Sequence, residues 1–312
     1  MSEITTTWEG ETLEFDFPAV SIGVACYPAG PTGCTVIRFE KAMPVAVDRR
    51  GGAVGFIGDY SVVDAICLAG GSLLGLEAAT GVAAAISEQR GHARDFMGMP
   101  LVSGGIIFDF PLRNPEPYPD KVLGVAAANA VRTGVFPIGR AGAGTWARVG
   151  KGFEYDGAEF SGQGAAFRQV NDSKVAVFTV VNSMGPIHDR SGRVVRGLLD
   201  GESNTHKSYL EELERRLDEG LPLAPPPEGN TTLTVLVTNQ LLGPHALTQL
   251  GRQVHASMAR VIQPFHTMDD GDVLWSVSTG EIPWGEGLPV TALGLIASEV
   301  AWDAVLSAAG AG

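Results

Sequence analysis

The chain has 312 residues, of which 45% are hydrophobic and 18% are charged. This length and composition allow a sizeable core, built as one large α/β domain or as two modest ones. The formal net charge is −13, which argues against nucleic acid and against anionic membranes as partners, because both need a basic surface.

Targeting signals and cysteine usage point to the cytoplasm. The first residues, "MSEITTTWEGETLEFDF", contain no basic region followed by an apolar stretch, so we expect no signal peptide. No segment approaches the roughly 20 uninterrupted apolar residues that a membrane span needs. The three cysteines form no CxxC pair, which argues against a disulfide framework and against a thiolate metal site.

The first two thirds of the chain mix strand and helix patterns. The runs "FPAVSIGVACY" and "CTVIRF", separated by "PAGPTG", predict a hairpin. The run "DAICLAGG" predicts a strand end and a glycine turn, followed by a helix with Ser72 as its N-cap and Gly91 as its stop. Next come a strand in "LVSGGIIFDF", a helix in "YPDKVLGVAAANAVR" with Asp120 near its start, and a strand in "KVAVFTVVN" that ends at Asn182.

A charged and proline-rich segment, residues 200–229, separates this part from a second block. The segment predicts a solvated helical excursion or a flexible linker. The second block comprises a strand in "TTLTVLVTN", a helix in "PHALTQLGRQVHASMARVI", a strand in "DVLWSVSTG" and a long apolar helix near the C-terminus. Strands and helices do not alternate strictly, which favours layered sheets covered by helices.

The junction Asn230-Thr231-Thr232 lies where the linker meets a predicted core strand. A threonine hydroxyl directly after a strained peptide carbonyl can attack that carbonyl, and the resulting ester can be hydrolysed by water. The freed Thr231 would then carry its own base, because its α-amino group would lie beside its hydroxyl. The alternative is that Asn230 caps a turn and Thr231 merely begins a strand.

Long stretches around this junction resemble one family. They include "FDFPAVSIGVACYPAGPTGCTVI", "DRRGGAVG", "AICLAGGSLLGLEAATGV", "GQGAAFR", "GNTTLTVLVTN", "QVHASMARVIQPFHTMDDGD" and "TALGLIASEVAWDAVL". In these stretches the chain resembles the nylon-oligomer hydrolases. That group belongs to the self-processing N-terminal-nucleophile family of peptidases, S58, together with the D-aminopeptidase/esterase and β-aminopeptidase enzymes.

The resemblance implies an α/β fold, a layered α-β-β-α sandwich. It implies cleavage between Asn230 and Thr231 into an α fragment, residues 1–230, and a β fragment, residues 231–312. The two fragments would stay associated as one structural domain, and the αβ units would assemble into a homotetramer. The implied activity is hydrolysis of linear amides such as aminohexanoate oligomers and related ω- or β-amino acid peptides, without a cofactor or metal.

The resemblance also implies the site residues. Thr231 would be the nucleophile of both cleavage and catalysis, and the aspartate pair Asp270 and Asp272 of "MDDGD" would orient its amine and hydroxyl. Lys151 and Asn182 match an active-site lysine and asparagine that could stabilise the tetrahedral oxyanion. At Phe108, in "IIFDF", the family pattern has a tyrosine, which bears on the substrate pocket.

Other motifs have simpler interpretations. "AGGSLLG" lacks the Gly-x-Ser-x-Gly spacing of a serine nucleophile, and "GRAGAG" lacks the ending of a phosphate loop, which favours close backbone packing. "DDGD" could offer oxygen ligands to a divalent cation but does not continue as an EF-hand. His255 and His266 are interpreted as hydrogen-bonded structural histidines.

Two further functions remain open from the sequence. An enzyme similar to the ornithine acetyltransferases would pass an acyl group from the same threonine to an amino-acid acceptor. A non-catalytic relative would keep the fold as a binding protein, although the intact set of site residues favours an enzyme.

Overall fold

The computed structural model describes residues 3–153, 155–223 and 229–310. The linker prolines, residues 225–227, lie outside the described residues. The helices are α1 (Glu77–Gln89), α2 (Lys121–Asn129), α3 (Tyr209–Glu219), α4 (Pro244–Ser257) and α5 (Val290–Gly310). The strands are β1 (Thr12–Glu14), β2 (Val20–Tyr27), β3 (Thr32–Arg49), β4 (Phe56–Ile57), β5 (Val62–Ala69), β6 (Val102–Ile106), β7 (Arg132–Thr133), β8 (Val135–Pro137), β9 (Arg148–Val149), β10 (Glu159–Phe160), β11 (Gly162–Val170), β12 (Ser173–Asn182), β13 (Ile187–His188), β14 (Val194–Arg196), β15 (Leu199–Asp200), β16 (Thr205–His206), β17 (Thr231–Gln240) and β18 (Val273–Ile282).

Strand β3 joins two halves of one mixed sheet system. Up to Pro44 it pairs with β2 and β5, and β6 and β4 continue this half. Its last residues, 45–49, pair with β18, and the other half runs β11-β12-β17-β18. The register shifts between Arg38 and Met43, and such an irregularity bends a strand and lets it serve both halves.

Three apolar clusters give the fold four layers. One cluster, which includes Phe178 and Trp275, fills the space between the two half-sheets. A second lies between the β12-β17-β18 half and helices α4 and α5, and a third lies between the β3-β5-β6 half and helices α1 and α2. The order is therefore helices, sheet, sheet, helices, which confirms the predicted α-β-β-α sandwich.

Strand β17 lies at the centre of its half-sheet and follows the alternation of a strand covered on both faces. Leu233, Val235 and Val237 face the other sheet, whereas Leu236 faces the helices. All ten residues are buried, between antiparallel β12 and parallel β18. Strand β12, which precedes the Asn230–Thr231 bond in the chain, and strands β17 and β18, which follow it, thus belong to a single sheet.

The start of α1 differs from the prediction. The helix begins at Glu77, and Ser72 opens a preceding 3-10 turn, at a φ of 52°. The N-cap prediction for Ser72 is wrong, because Ser72 lies inside the 3-10 turn, and the residue at the N-cap of α1 is Leu76, with no side-chain cap. The turn itself is tied to a distant residue, since Asp109 accepts the N–H of Gly71 at 2.8 Å. By contrast, Asp120 does cap α2 and accepts the Leu123 N–H at 2.9 Å.

Helix α5 is long and apolar enough to cross a membrane by length and composition, but 56% of its most apolar window is buried inside the protein. Its apolar side chains pack with those of α4 against the outer face of β12 and β17. This burial explains the apolar composition of α5 as that of a core helix.

Candidate active site

The predicted cleavage bond lies at the first residue of β17. The Thr231 hydroxyl donates a hydrogen bond of 2.5 Å to the Asn230 carbonyl oxygen, the oxygen of the bond it would attack. The backbone N–H of Gly271 donates to the same oxygen at 2.6 Å. Two hydrogen-bond donors on one carbonyl oxygen polarise the carbonyl. An N–H held in this position can also donate to the oxyanion that forms on attack and stabilise its negative charge.

The turn that precedes β18 places Gly271 against the nucleophile. Asn230 and Asp270 form a parallel bridge, and the Asn230 N–H donates to the Asp269 carbonyl at 3.2 Å. A Cβ atom on Gly271 would lie 2.7 Å from the Thr231 hydroxyl oxygen. This close approach requires glycine at position 271.

Asp270 is a buried carboxyl with one free oxygen. Its Oδ2 accepts hydrogen bonds from the Thr267 N–H at 2.9 Å and from the Thr267 hydroxyl at 2.7 Å. Its Oδ1 is buried and has no hydrogen-bond partner among the described residues. Burial, followed by the charge of Asp272, raises the pKa of Asp270 to about 6, although Thr267 and Lys151 act in the opposite direction. The group can therefore exchange a proton near neutral pH.

Asp272 is held by three contacts. Its Oδ1 accepts the N–H of Thr232 at 2.6 Å. Its Oδ2 accepts the N–H of His266 at 3.1 Å and lies 2.9 Å from Nδ1 of the same histidine. The family resemblance implied that this carboxylate orients Thr231, whereas in the uncleaved chain it accepts a hydrogen bond from the following residue, Thr232.

Lys151 and Asn182 lie on the other side of the bond. Asn182 ends β12 opposite Thr231 in the strand register. The Lys151 ammonium donates to the Asn182 carbonyl at 3.0 Å and to the Gly229 carbonyl at 3.2 Å. The Asn182 side chain donates to the Phe108 carbonyl at 3.0 Å. The predicted residues are thus brought together around one peptide bond.

Phe108 lies beside the segment that would be cleaved. Its ring packs edge-on to Phe110 with centroids 5.4 Å apart. A Cβ atom on Gly229 would come within 2.7 Å of the Phe108 Cβ, so the residue before Asn230 must also be small. This position is consistent with a pocket residue, which stays a prediction.

The remaining motifs lie as follows. His255 Nδ1 lies 3.0 Å from Asp48 and His266 Nδ1 lies 2.9 Å from Asp272, so both histidines are hydrogen-bonded as predicted. Their rings lie 4.3 Å apart. The contact of His266 with Asp272 was not foreseen. In the "GRAGAG" loop, a Cβ on Gly142 would lie 2.1 Å from the Thr35 hydroxyl, which confirms close packing. Within the part of the chain that the structure describes, no group of three or more His, Cys, Asp or Glu could hold a metal ion.

The backbone donor Gly271 was missed from the sequence, because a main-chain N–H carries no residue-type signal. The glycine itself, within "DDGD", was the available clue.

The sequence profile of peptidase family S58 matches residues 15–310. The chain belongs to peptidase family S58. Two bacterial proteins named 6-aminohexanoate-oligomer endohydrolase are similar to it over 308 residues, 96% of this chain and 86% of each relative. The protein of Paenarthrobacter ureafaciens is 48% identical and that of Kocuria sp. (strain KY2) 47% identical.

A solved structure shares the fold. It is the L-aminopeptidase D-Ala-esterase/amidase of Ochrobactrum anthropi, described as a variant of the Ntn hydrolase fold. It matches with a TM-score of 0.69 and 16% identity over 97% of this chain and 88% of that one. The family resemblance and the fold predicted from the sequence are both confirmed, and the S58 chain is a hydrolase that acts on amide bonds.

Proposed function

We propose that this S58 hydrolase cleaves its own Asn230–Thr231 bond and then uses Thr231 as an N-terminal nucleophile. The observation that carries the proposal is the Asn230 carbonyl oxygen, which accepts the Thr231 hydroxyl at 2.5 Å and the Gly271 N–H at 2.6 Å. A strand residue that merely began β17 would not need its hydroxyl on the preceding carbonyl.

Self-cleavage would proceed by an acyl shift from nitrogen to oxygen. The Thr231 oxygen attacks the Asn230 carbonyl carbon, and the carbonyl electron pair moves onto the oxygen that the Gly271 N–H holds. The C–N bond then breaks as the Thr231 nitrogen takes up a proton. Water hydrolyses the remaining ester, which leaves the Asn230 carboxylate and a free Thr231 amine.

Asp270 is the candidate to accept the hydroxyl proton in the uncleaved chain. Its partnerless Oδ1 offers a lone pair, and a pKa of about 6 makes it a stronger base than an ordinary aspartate. Burial raises this pKa most, and the charge of Asp272, which Thr232 and His266 hold in place, raises it further.

In the cleaved enzyme the Thr231 amine would replace Asp270 as the base for the adjacent hydroxyl. An unperturbed α-amino group has a pKa of roughly 7.7 to 8.0, which suits this task near neutral pH. Departure of residues 229–230 would also release the Lys151 ammonium from the Gly229 carbonyl. Lys151 and Asn182 could then act on the substrate carbonyl.

The proposed substrates are linear amides of ω-amino acids such as aminohexanoate oligomers, with related β-amino acid peptides. The 47–48% identity to the two endohydrolases supports this class. By the same resemblance we propose a tetramer of αβ units in the cytoplasm, which sedimentation of the purified protein would test.

A denaturing gel with N-terminal sequencing tests the cleavage. Fresh protein should resolve into two fragments, and the smaller should begin Thr-Thr-Leu-Thr. Any other start, or a single band in active protein, refutes the proposal. Amine release that depends on an added amino-acid acceptor would instead indicate an acyltransferase.

A further inference from the structure

The side chains of Arg140 and Arg148 both lie over the rings of Trp146 and Phe160, which together form an aromatic platform. The guanidinium carbon of Arg140 lies 3.7 Å from the ring centroid of Phe160, and that of Arg148 lies 4.0 Å from the same centroid. Trp146 packs edge-on to Phe160, with both guanidinium groups 5.2 to 5.3 Å from its ring. Both guanidinium groups are thus held in cation–π contact with the same two rings.

Neither arginine forms an ion pair within residues 3–153, 155–223 and 229–310. Arg140 donates through Nε to the Thr145 carbonyl at 3.2 Å, and the buried Nε of Arg148 has no hydrogen-bond partner among the described residues. Glu159, the neighbour of Phe160 in β10, is engaged by Arg196 and His206. Burial and the charge of Arg148 lower the pKa of Arg140. The pair is therefore electrostatically unsatisfied, in a protein whose net charge is −13.

The platform borders the candidate active site through two hydrogen bonds. The backbone N–H of Arg148 donates to the Asn182 side chain at 3.1 Å, and Asn182 lies opposite Thr231 in the sheet. The Trp146 indole donates at 2.8 Å to the carbonyl of Pro111, three residues after Phe108. The segment that carries Arg148 is therefore hydrogen-bonded to the residue that pairs with Thr231.

We propose that Arg140 and Arg148 form a subsite for the terminal carboxylate of the substrate. This inference rests on the proposed function, because it assigns one end of a linear amide chain to one side of the site. A guanidinium recognises a carboxylate by charge and by paired N–H donors, and stacking on an aromatic ring leaves the edge of the guanidinium available for such contacts. A substrate chain with a free carboxylate would lie across Asn182 with its charged end at the platform.

Kinetics on two matched substrates test this. One is the linear dimer of 6-aminohexanoate, and the other is the same dimer with its carboxylate amidated. The wild type should prefer the free acid in kcat/KM, and Arg148→Gln should reduce that preference about tenfold to a hundredfold, since a charged hydrogen bond is lost. Arg148→Lys keeps the positive charge but lacks the paired N–H donors of a guanidinium. Its preference for the free acid should lie between that of the wild type and that of Arg148→Gln.

Arg94→Gln is the control, because Arg94 is an exposed arginine beyond the C-terminal end of α1 and should retain the wild-type preference. Melting curves of all variants identify any that misfold, and in that event Arg140→Gln supplies the second measurement. An unchanged preference in folded Arg148→Gln and Arg140→Gln overturns the subsite.

Calorimetric binding separates the subsite from the proposed function. Hexanoate should bind the wild type more tightly than hexanamide, and Arg148→Gln should remove the difference even if neither dimer is hydrolysed. Failure of hydrolysis with this binding pattern refutes the proposed substrate class but supports the subsite. Equal hexanoate binding by wild type and Arg148→Gln refutes the subsite whatever the activity.

Discussion

Replacing Asp270 by asparagine should make the protein more stable at neutral pH and unable to process itself. Asparagine has nearly the same shape, and its side-chain oxygen can still accept the two hydrogen bonds from Thr267 that Asp270 Oδ2 accepts. It removes the buried negative charge beside Asp272 and the base proposed for the Thr231 hydroxyl.

The pKa shift of Asp270 sets the size of the effect. Burial and Asp272 raise its pKa from 3.8 to about 6 in the folded protein. Between pH 3.8 and about pH 6, Asp270 is therefore protonated in the folded chain but ionised in the unfolded chain. The free energy of unfolding of the aspartate form consequently falls as pH rises through this range. A shift of roughly 2 units corresponds to about 3 kcal/mol above pH 6. Because asparagine does not titrate, the Asp270→Asn protein lacks this contribution to the pH dependence of stability.

The comparison needs an uncleaved background, so both proteins should carry Thr231→Ala. Calorimetric melting at pH 4 should give similar midpoints with and without Asp270→Asn. At pH 7 the asparagine form should melt several degrees higher. A loss of stability of the same size at both pH values would show that the Asp270 charge is not the destabilising element, and normal processing of Asp270→Asn with Thr231 intact would exclude Asp270 as the base.

Four further substitutions are informative. Thr231→Ala should abolish both processing and hydrolysis, which a gel and an amine-release assay would show; processing that persists contradicts the nucleophile assignment. Gly271→Ala should slow processing about a hundredfold, because its Cβ would displace the Thr231 hydroxyl, whereas Gly243→Ala, with no atom within 4 Å of its Cβ, should process normally. His266→Phe keeps an aromatic ring but removes the Nδ1 contact with Asp272, so kcat should fall about tenfold with KM nearly unchanged; a wild-type kcat would make His266 purely structural. Phe108→Tyr should change turnover more than the melting temperature if a hydroxyl at this position reaches the substrate carbonyl, and unchanged kinetics would exclude position 108 from the chemistry.

Much of the fold could be predicted from local patterns. The apolar run after Asn230 predicted β17, and the carboxylate of Asp120 beside an apolar stretch predicted the start of α2. The patterns could not predict that β3 serves both half-sheets, or that a 3-10 turn, tied to Asp109 through the N–H of Gly71, precedes α1. Those features depend on contacts between residues far apart in the chain, which periodicity and capping rules do not contain.

The site shows the same division. Thr231 was indicated by its place directly after Asn230, and Asp270 and Asp272 were indicated by the resemblance to the family. The hydrogen-bond partners of these three residues were not predicted. The Gly271 N–H is placed by the parallel pairing of Asn230 with Asp270, and His266 is joined to Asp272 by a turn. The sequence and its family resemblance thus predicted which groups could react, whereas the pairing of the strands determined which atoms those groups contact.

The cost of this arrangement explains why it lies at the end of a fully buried strand. A buried carboxylate oxygen that has no hydrogen-bond partner among the described residues opposes folding, and on an exposed loop the chain would relax until water reached it. Strand β17 is paired on both sides and buried along all ten residues, so its register cannot shift without reversing which side chains face each layer. The same pairing that stabilises the strand therefore holds Thr231 opposite Asn182, and the core thus keeps the Thr231 hydroxyl within hydrogen-bond distance of the carbonyl that we propose it attacks.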